Sequence, residues 1–190
     1  MADRSVSSEL THYIEGARVA LALADVSEDN KLLLVNDAFC TLTGYGLDEI
    51  AGQNCRFLQV SPRYGRVDNR EARNDLRQFL DNRNQQSVRT PIVNFTKEDK
   101  PFVNLLFMSR LRDHKGDQCF IFASQFDVSR SHPALLAQYD DGLSGALAGL
   151  SPVLQESGLV IEGSLATLSN SAAIIAQAKM ILAQFEDVRS

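Results

Sequence analysis

Three consecutive apolar segments constrain the fold of this chain more than any other feature of its sequence. They cover residues 88–96, 102–111 and 119–127 and are rich in large hydrophobic side chains. Polar turns at residues 97–101 and 113–117 separate them, as short turns separate the strands of hairpins. The sequence therefore predicts three neighbouring strands of one antiparallel sheet.

Shorter elements are predicted before these strands. Residues 61–70 are polar and are predicted to be irregular. The order of two strands, several short helices and three strands is typical of an α+β fold with a five-stranded antiparallel sheet. The elements predicted from capping residues and periodicity are a helix that ends near Ala17, strands at 18–25 and 31–35, short helices at 36–44, 48–50 and around Cys55, and a longer helix at about 70–80.

The last part of the chain differs in composition and is predicted to be a helical extension. We expect an N-terminal capping helix at residues 1–17, a central domain at 18–130 and an extension of two or more helices at 131–190. Pro133 and Pro152 each stand where the first residue of a helix would lie. The apolar residues at helical spacing are Leu135, Tyr139, Leu143, Ala146, Leu147 and Leu150 in the first helix, and Ile161, Leu165, Leu168, Ala172, Ile175 and Leu182 in the second.

The extension and the overall charge bear on the partners of the chain. The 3–4 repeat of the second helix favours pairing between chains, so we expect a homodimer through the N-terminal helix, the sheet face or the C-terminal helices. Residues 133–190 contain two basic and six acidic residues, the opposite of a DNA-reading helix. The net charge of -5 likewise argues against a general nucleic-acid binder.

Further classes are excluded by the absence of particular segments and cysteine patterns. The longest apolar stretch runs from Val19 to Ala24, which is too short to span a membrane, and no signal peptide is visible. Cys40, Cys55 and Cys119 show no Cys-x-x-Cys spacing. They predict free thiols in a reducing cytoplasm rather than disulfides or a zinc site.

One short motif places a cysteine in distinctive surroundings. Residues Asn54–Gln59 read Asn-Cys-Arg-Phe-Leu-Gln, so the thiol of Cys55 stands between a polar residue and a cation, before an apolar pair. Enclosure and a neighbouring positive charge are conditions that make a cysteine reactive. A cysteine enzyme would also need a base, and none of His12, His114 and His132 is evidently directed at the thiol.

Three carboxamides interrupt the apolar strands. Asn94, Asn104 and Gln125 each lie among large hydrophobic residues. A buried carboxamide without partners costs on the order of 1–3 kcal/mol, so three in neighbouring strands predict a shared polar ligand. An isoalloxazine ring would suit them, because one edge alternates donors and acceptors and the other end is apolar. The alternative is that each amide caps a turn or faces solvent at a sheet edge.

Arginines predict a site for an anion. Arg56, together with Arg77 or Arg73, would hold a ligand phosphate, which guanidinium groups bind well. The alternative is a solvated face balanced by nearby carboxylates. The arginines that recur at spacings of 3 and 4 are Arg63, Arg66, Arg70, Arg73 and Arg77.

The motif at Asn54–Gln59 and the three strand amides resemble those of LOV (light, oxygen, voltage) domains, a flavin-binding branch of the PAS fold. The resemblance covers roughly residues 20–130. It implies an FMN cofactor, with FAD as the alternative because the segment from Cys55 to Arg77 looks longer than in compact plant relatives. The residues that it implies for flavin binding are Asn54, Cys55, Arg56, Leu58, Gln59, Arg73, Arg77, Asn94, Asn104, Leu106, Ile121 and Gln125.

The resemblance also implies a function as a blue-light photoreceptor. Light would drive reversible addition of the Cys55 thiol to flavin carbon C4a, and protonation of N5 would reorient the amide of Gln125. Gln125 would then change the docking of the C-terminal helices, weaken the dimer and signal to an unknown downstream protein without enzymatic activity. The alternatives are a thiol redox sensor or cysteine enzyme that uses Cys55, and a PAS interaction module without a cofactor.

Overall fold

The computed structural model of this chain describes residues 5–27, 29–129 and 133–162, together with Ala176, Met180 and Ala183. Its helices are α1 Ser8–Gly16, α2 Asp37–Thr43, α3 Leu47–Ile50, a 3-10 helix Cys55–Gln59, α4 Arg70–Asp81 and α5 Pro133–Glu156. Its strands are β1 Ala20–Ala24, β2 Leu32–Val35, β3 Val60–Ser61, β4 Gly65–Arg66, β5 Ser87–Phe95, β6 Pro101–Asp113, β7 Gln118–Gln125 and β8 Leu159–Ile161.

The main sheet has the predicted α+β architecture. Five antiparallel strands pair in the order β2-β1-β7-β6-β5, and the short strand β8 adds to β6. The PAS-type fold class predicted from the sequence is therefore confirmed. Among the described residues, β8 and the small β3–β4 hairpin are the strands that the sequence did not predict, because each has only two or three residues.

The two faces of the sheet carry different residues because side chains alternate along a strand. On β7, Phe120, Phe122 and Ser124 lie on the same face as the core packed under α1 and α5. Ile121 and Gln125 lie on the opposite face, toward the 3-10 helix and α4. One face therefore holds the main core, and the other is left for a second layer of short helices.

A buried asparagine connects β1 to the helix layer. Asn36 is the N-cap of α2, and its Oδ1 accepts hydrogen bonds from Phe39 N and Leu21 N, both at 3.0 Å. Its Nδ2 donates to the carbonyls of Ala17 and Val19. All of its hydrogen-bonding atoms are used, so α2 is held against the start of β1 as the predicted cap at this position requires.

The C-terminal extension differs from its prediction. Pro152 lies inside α5 and does not begin a second helix. Leu150 and Leu154 on either side of it are fully buried, and this packing outweighs the one backbone hydrogen bond that a proline removes. Leu135 was also placed wrongly, because it is 48% exposed while Leu136 packs into the core.

The chain after α5 turns back onto the sheet. Ile161, predicted to begin the apolar stripe of a second helix, lies instead in β8, which pairs with the end of β6. Arg112 Nε contacts Glu162 Oε2 at 2.6 Å and strengthens this attachment. Leu165, Leu168, Ala172, Ile175 and Leu182 of the predicted second stripe lie outside the described residues.

The sequence predicts no membrane-spanning segment, and the described helices can be compared with that prediction. None of them combines the length and the apolar character that a bilayer crossing requires.

Close packing of α1 on α5 depends on one glycine. A Cβ at position 149 would lie 2.6 Å from the hydroxyl oxygen of Tyr13, which donates a hydrogen bond to the carbonyl of Ala146. We expect Gly149→Ala to lower the free energy of unfolding by about 1–3 kcal/mol, because Tyr13 must move out of this contact. Urea denaturation measures the change.

Gly145→Ala is the matched control in the same helix. A Cβ there meets no atom within 4 Å, so the higher helix propensity of alanine should raise stability by up to about 1 kcal/mol. Equal shifts of both variants in one direction would contradict the steric explanation.

Candidate functional site

A cavity of about 410 Å³ lies between the sheet and the layer that contains the 3-10 helix and α4. This volume falls within the range of small-molecule and cofactor sites. Strands β1, β5, β6 and β7 supply one wall, and the 3-10 helix and α4 supply the opposite side. The cavity therefore occupies the face of the sheet that the main core leaves uncovered.

Small side chains on β1 make room for the cavity. Ala22 and Ala24 line it, whereas Leu21 and Leu23 point to the main core on the other face. Ala123 of β7 lies in register with Ala22 and adds to this flat area. Alternation of small and large residues along β1 is the sequence signal for this wall, although the alanines were not among the predicted site residues.

The three strand amides meet on the cavity wall. Asn104 Nδ2 donates to Asn94 Oδ1 at 2.9 Å, and Asn94 Nδ2 donates to the carbonyl of Val93. Gln125 is only 3% exposed, yet its Oε1 has no hydrogen-bond partner among the described residues. A buried acceptor without a partner is unfavourable, so this atom indicates that the cavity receives a hydrogen-bond donor.

The 3-10 helix places Cys55 in the cavity. Asn54 is its N-cap, with Oδ1 accepting from Arg56 N at 2.8 Å and Nδ2 donating to the carbonyl of Asp29. Arg56 forms an ion pair with the Asp29 carboxylate. Two side chains of the motif are thus tied to the β1–β2 turn, and the segment that holds the thiol is fixed from both sides.

The thiol itself is not activated in the way the sequence suggested. Although Cys55 is only partly buried as a residue, its thiol group is enclosed, and this burial raises its pKa to about 12. Arg56 pairs with Asp29, and burial alone is the cause of the raised pKa of the thiol. At neutral pH the sulfur carries a proton.

Arginines gather at one end of the cavity. Arg73 Nε donates to Gln59 Oε1 at 3.1 Å, and burial together with the charge of Arg66 lowers the pKa of Arg73. The side chain of Arg77 forms no hydrogen bond or ion pair with another described residue and also lines the cavity, one helical turn after Arg73. Repulsion between neighbouring guanidinium groups favours an anion at this end.

Two of the five regularly spaced arginines lie away from the cavity. Arg70 forms an ion pair with Asp68 at 2.7 Å, and the Arg63 guanidinium lies 5.3 Å from the centre of the Tyr64 ring. For these two the interpretation as solvated surface residues is correct. Arg66 lines the cavity from β4, and the sequence analysis did not select it.

All twelve residues that the resemblance implied for flavin binding line this one cavity, and their roles toward a ligand stay predictions. Ten further residues line the cavity, and most of them come from short or apolar segments. They are Ala22, Ala24, Asn30, Leu32, Arg66, Leu76, Leu80, Ile92, Met108 and Ala123.

Comparison with known proteins gives the family. A family model described as a PAS domain matches residues 18–130, more than half of the chain. The chain also covers 95% of the solved LOV domain from the blue-light activated histidine kinase of Erythrobacter litoralis EL346. It shares 32% identity with that domain at a TM-score of 0.51, over 58% of this chain. This chain is a LOV protein of the PAS family.

Other similar proteins extend this assignment. The crystal structure of the Rhodobacter sphaeroides LOV protein matches 94% of this LOV protein and 95% of that chain, with 25% identity and a TM-score of 0.65. Phototropin-1A of Oryza sativa subsp. japonica is 37% identical over 99 residues, which is 52% of this chain and 10% of the relative. The chain thus spans about a tenth of that curated relative.

The raised pKa of Cys55 gives a test of the enclosed thiol. The thiolate is the form that an alkylating reagent attacks, and its fraction rises with pH until the pKa is passed. In the folded chain without bound ligand, the alkylation rate of Cys55 should still be rising at about pH 10, because the pKa is about 12. Mass spectrometry of iodoacetamide-treated protein measures the rate.

The urea-unfolded chain is the control for this experiment. Its exposed thiol returns to the ordinary pKa of 9.0, so its rate should reach half of its plateau near pH 9 and level off above that pH. A profile of the folded chain that levels off at the same pH would contradict the enclosure of the thiol.

Proposed function

We propose that this LOV protein is a blue-light photoreceptor that binds a flavin in the cavity and uses Cys55 as the reacting thiol. One observation carries the proposal. A buried acceptor without a partner, Gln125 Oε1, faces the same cavity as the enclosed Cys55 thiol. A flavin ring offers polar edge atoms that can hydrogen-bond with the Gln125 amide, which has both a donor and an acceptor end, and an electrophilic carbon to the thiol.

The wall of the cavity has the chemistry that a flavin needs. Asn94, Asn104 and Gln125 would bind the polar edge of the ring, while Leu106 and Ile121 would contact its apolar part. Leu58 of the 3-10 helix is buried and closes the cavity from the opposite side. Polar atoms at one edge and hydrophobic side chains elsewhere match the two halves of an isoalloxazine ring.

The charged end of the cavity fits the phosphate of FMN. Arg73 and Arg77 would bind it, with Arg66 and Arg56 nearby, and Asn54 and Gln59 would contact the flavin side chain and ring. FAD remains the alternative, since Arg66 of β4 also lines the cavity and could bind a second phosphate.

The protonated state of Cys55 suits a light-driven reaction. When bound, the flavin supplies absorption of blue light and a ring carbon that takes up the sulfur reversibly. Cys55 stays neutral because of its raised pKa, so the thiol holds both the sulfur and the proton that such a reaction consumes. In darkness the low population of thiolate keeps the cysteine unreactive toward other electrophiles.

The raised pKa of Cys55 and the Gln125 acceptor, unpartnered among the described residues, argue against a redox sensor, a cysteine enzyme and a PAS module without a cofactor. A thiol redox sensor works through a thiolate of low pKa, and Cys55 has the opposite shift. Neither His12 nor His114 lines the cavity, and His132 lies outside the described residues. A PAS module without a cofactor would leave the Gln125 acceptor without a partner.

The photochemical proposal predicts a colour that light removes. The purified protein should be yellow, lose its blue absorbance on illumination and regain it in darkness. Cys55→Ala should stay yellow without bleaching, since the flavin site remains and only the thiol is lost. Mass spectrometry of the released cofactor distinguishes FMN from FAD.

Cys40→Ala is the control, because this cysteine lies outside the cavity wall and should leave bleaching unchanged. A colourless protein, or bleaching that survives Cys55→Ala, would refute the proposal.

Light would reach α5 through the residues on either side of Gln125. The hydroxyls of Ser124 and Tyr139 are 2.8 Å apart, and the ring of Phe126 stacks on that of Tyr139 with centroids 4.3 Å apart. Both sequence neighbours of the cavity glutamine thus contact one side chain of α5. Any shift of β7 at Gln125 moves two partners of Tyr139 together.

A second connection reaches the same side chain. The amide of Phe126 donates to Asn104 Oδ1 at 3.3 Å, and Asn104 lines the cavity. Nearby, Arg89 contacts the carboxylate of Asp140 at 2.5 Å and lies over the Tyr139 ring. We name the contacts of Tyr139 and Asp140 with Ser124, Phe126 and Arg89 the α5 latch, and propose that the state of the cavity controls it.

The expected homodimer is part of this proposal. One similar solved structure is the light-state dimer of the fungal photoreceptor Vivid. It is 28% identical to this chain, with a TM-score of 0.52, and the match covers 67% of this chain and 83% of that chain. We propose that this LOV protein is a dimer whose stability depends on the α5 latch, and that light weakens it. The downstream protein is unidentified.

Tyr139→Phe tests the latch without touching the cavity. The variant keeps the ring stacking but leaves the Ser124 hydroxyl buried without its partner, at a cost of about 1 kcal/mol. We expect normal bleaching but a smaller difference in mass between dark and illuminated protein. Sizing chromatography in darkness and under blue light measures both states.

Tyr13→Phe is the matched control. It also removes one tyrosine hydrogen bond to α5, at Ala146, but lies away from β7. It should leave the light response unchanged. An identical, concentration-independent mass of the wild type in both conditions would refute the light-dependent dimer.

A further inference from the structure

Arg110 on β6 is a buried cation that the proposed photochemistry does not use. Its side chain is among the largest fully buried groups, with the residue only 1% exposed. None of the described carboxylates forms an ion pair with it. Burying a guanidinium group is costly unless its donors are satisfied, so the partners of Arg110 explain why it is there.

Those partners are mainly the carbonyl groups at the end of α4. Arg110 Nη2 donates to the carbonyls of Phe79 and Asn82, and Nε donates to the carbonyl of Gln85 at 3.1 Å. Nη1 donates to Oε1 of Gln118. The guanidinium also lies 4.5 Å from the centre of the Phe79 ring. One side chain therefore holds the last turn of α4 and the segment after it.

The electrostatics of α4 favour this arrangement. The last carbonyl groups of a helix have no partner within the helix, and their dipoles attract a positive charge. No basic residue lies in the last turn of α4 itself. Arg110 supplies that charge from the neighbouring sheet, and so it joins the end of the helix to β6.

Two other contacts fix the same helix to β5. Asn69 at its start exchanges two hydrogen bonds with the backbone of Val93, at 2.9 and 3.0 Å. Thr90 Oγ1 donates to Asp75 Oδ2 at 2.8 Å. The helix is thus attached at its beginning, its middle and its end, and Arg110 provides the last attachment.

The cavity residues of α4 lie between these attachments. Arg73 precedes Asp75, and Leu76, Arg77 and Leu80 line the cavity in the two turns before Arg110 holds the helix end. An exposed arginine binds an anion well only if its backbone is fixed, because a mobile side chain loses conformational entropy on binding. Arg77 lies between two attachments, at Asp75 and at the carbonyl of Phe79, and Arg110 provides the one on its C-terminal side.

We propose that Arg110 is a positioning residue for the phosphate-binding end of the cavity, and that it favours a phosphorylated flavin over one without phosphate. It holds the last turn of α4 so that Arg77 faces the phosphate. This inference rests on the proposed flavin site, and its ligand is the phosphate monoester of a flavin such as FMN. Riboflavin has the same ring without this group.

The test compares two ligands in one protein. The full chain is freed of bound cofactor and titrated in darkness with FMN and with riboflavin, and quenching of flavin fluorescence gives both dissociation constants. Arg110→Lys keeps the charge but removes the fork that reaches several carbonyl groups. We expect it to lower the preference for FMN over riboflavin about tenfold, with little change for riboflavin.

A double-mutant cycle separates positioning from general destabilisation. Arg77→Ala should lower the same preference, and Arg77→Ala with Arg110→Lys should lower it no further, because Arg110 acts through Arg77. Equal losses for the two ligands, or a second full loss in the double variant, would overturn the proposal. Equal affinity of the wild type for both ligands would overturn it as well.

Controls keep each outcome decisive. Arg112→Lys changes an arginine two residues along β6 that donates to the carbonyls of Arg83 and Gly116 instead, and should leave the preference unchanged. If circular dichroism shows that Arg110→Lys does not fold, Gln118→Leu removes one acceptor of the fork and should shift the preference in the same direction. A wild type that binds neither flavin refutes the proposed function itself.

Discussion

Alternation of side chains along β7 is the constraint on which the site and its connections depend. Because successive residues point to opposite faces, Gln125 faces the cavity while Ser124 and Phe126 face α5. A register shift of one residue would exchange these faces, and the hydrophobic core under α5 prevents it. The alternation of side chains that forms the core therefore also places the Gln125 amide on the face of β7 opposite the two residues that contact Tyr139.

The environment of Cys55 illustrates how enclosure and charge compete in setting a pKa. Sequence puts an arginine directly after the cysteine, but adjacent residues on a short helix do not face each other. Arg56 finds the Asp29 carboxylate, and the thiol is left with an apolar wall. Desolvation then dominates, and the result is a neutral thiol inside a cavity that is also lined by arginines.

Much of this architecture could be predicted from the sequence. The strands at β5, β6 and β7 are long and apolar, and their turns are polar, so local pattern and final structure agree. The cavity residues with distinctive chemistry, above all the strand amides, were selected because polar groups in apolar strands need an explanation. Their convergence on one cavity follows from antiparallel pairing of neighbouring strands.

Three features could not be predicted from the sequence because they depend on packing between distant residues. Pro152 is a strong local signal for a helix start, but burial of the leucines around it carries α5 through that position. Strand β8 has three residues, too few for any periodicity, and it pairs with the part of β6 that extends past the first residue of β5. The role of Arg110 is also invisible locally, since its partners are backbone carbonyls from α4 and the loop after it.

Strand β8 has a mechanical consequence for α5. The helix is attached near its beginning by Tyr139 and after its end by the pairing of Leu159–Ile161 with β6. Release of one attachment alone leaves the helix tethered, so it pivots about the other end instead of diffusing away. In the proposed light response, a motion that starts at β7 would leave α5 tethered at β8, so redocking would be an intramolecular search over a short distance, which favours repeated cycles of opening and closing.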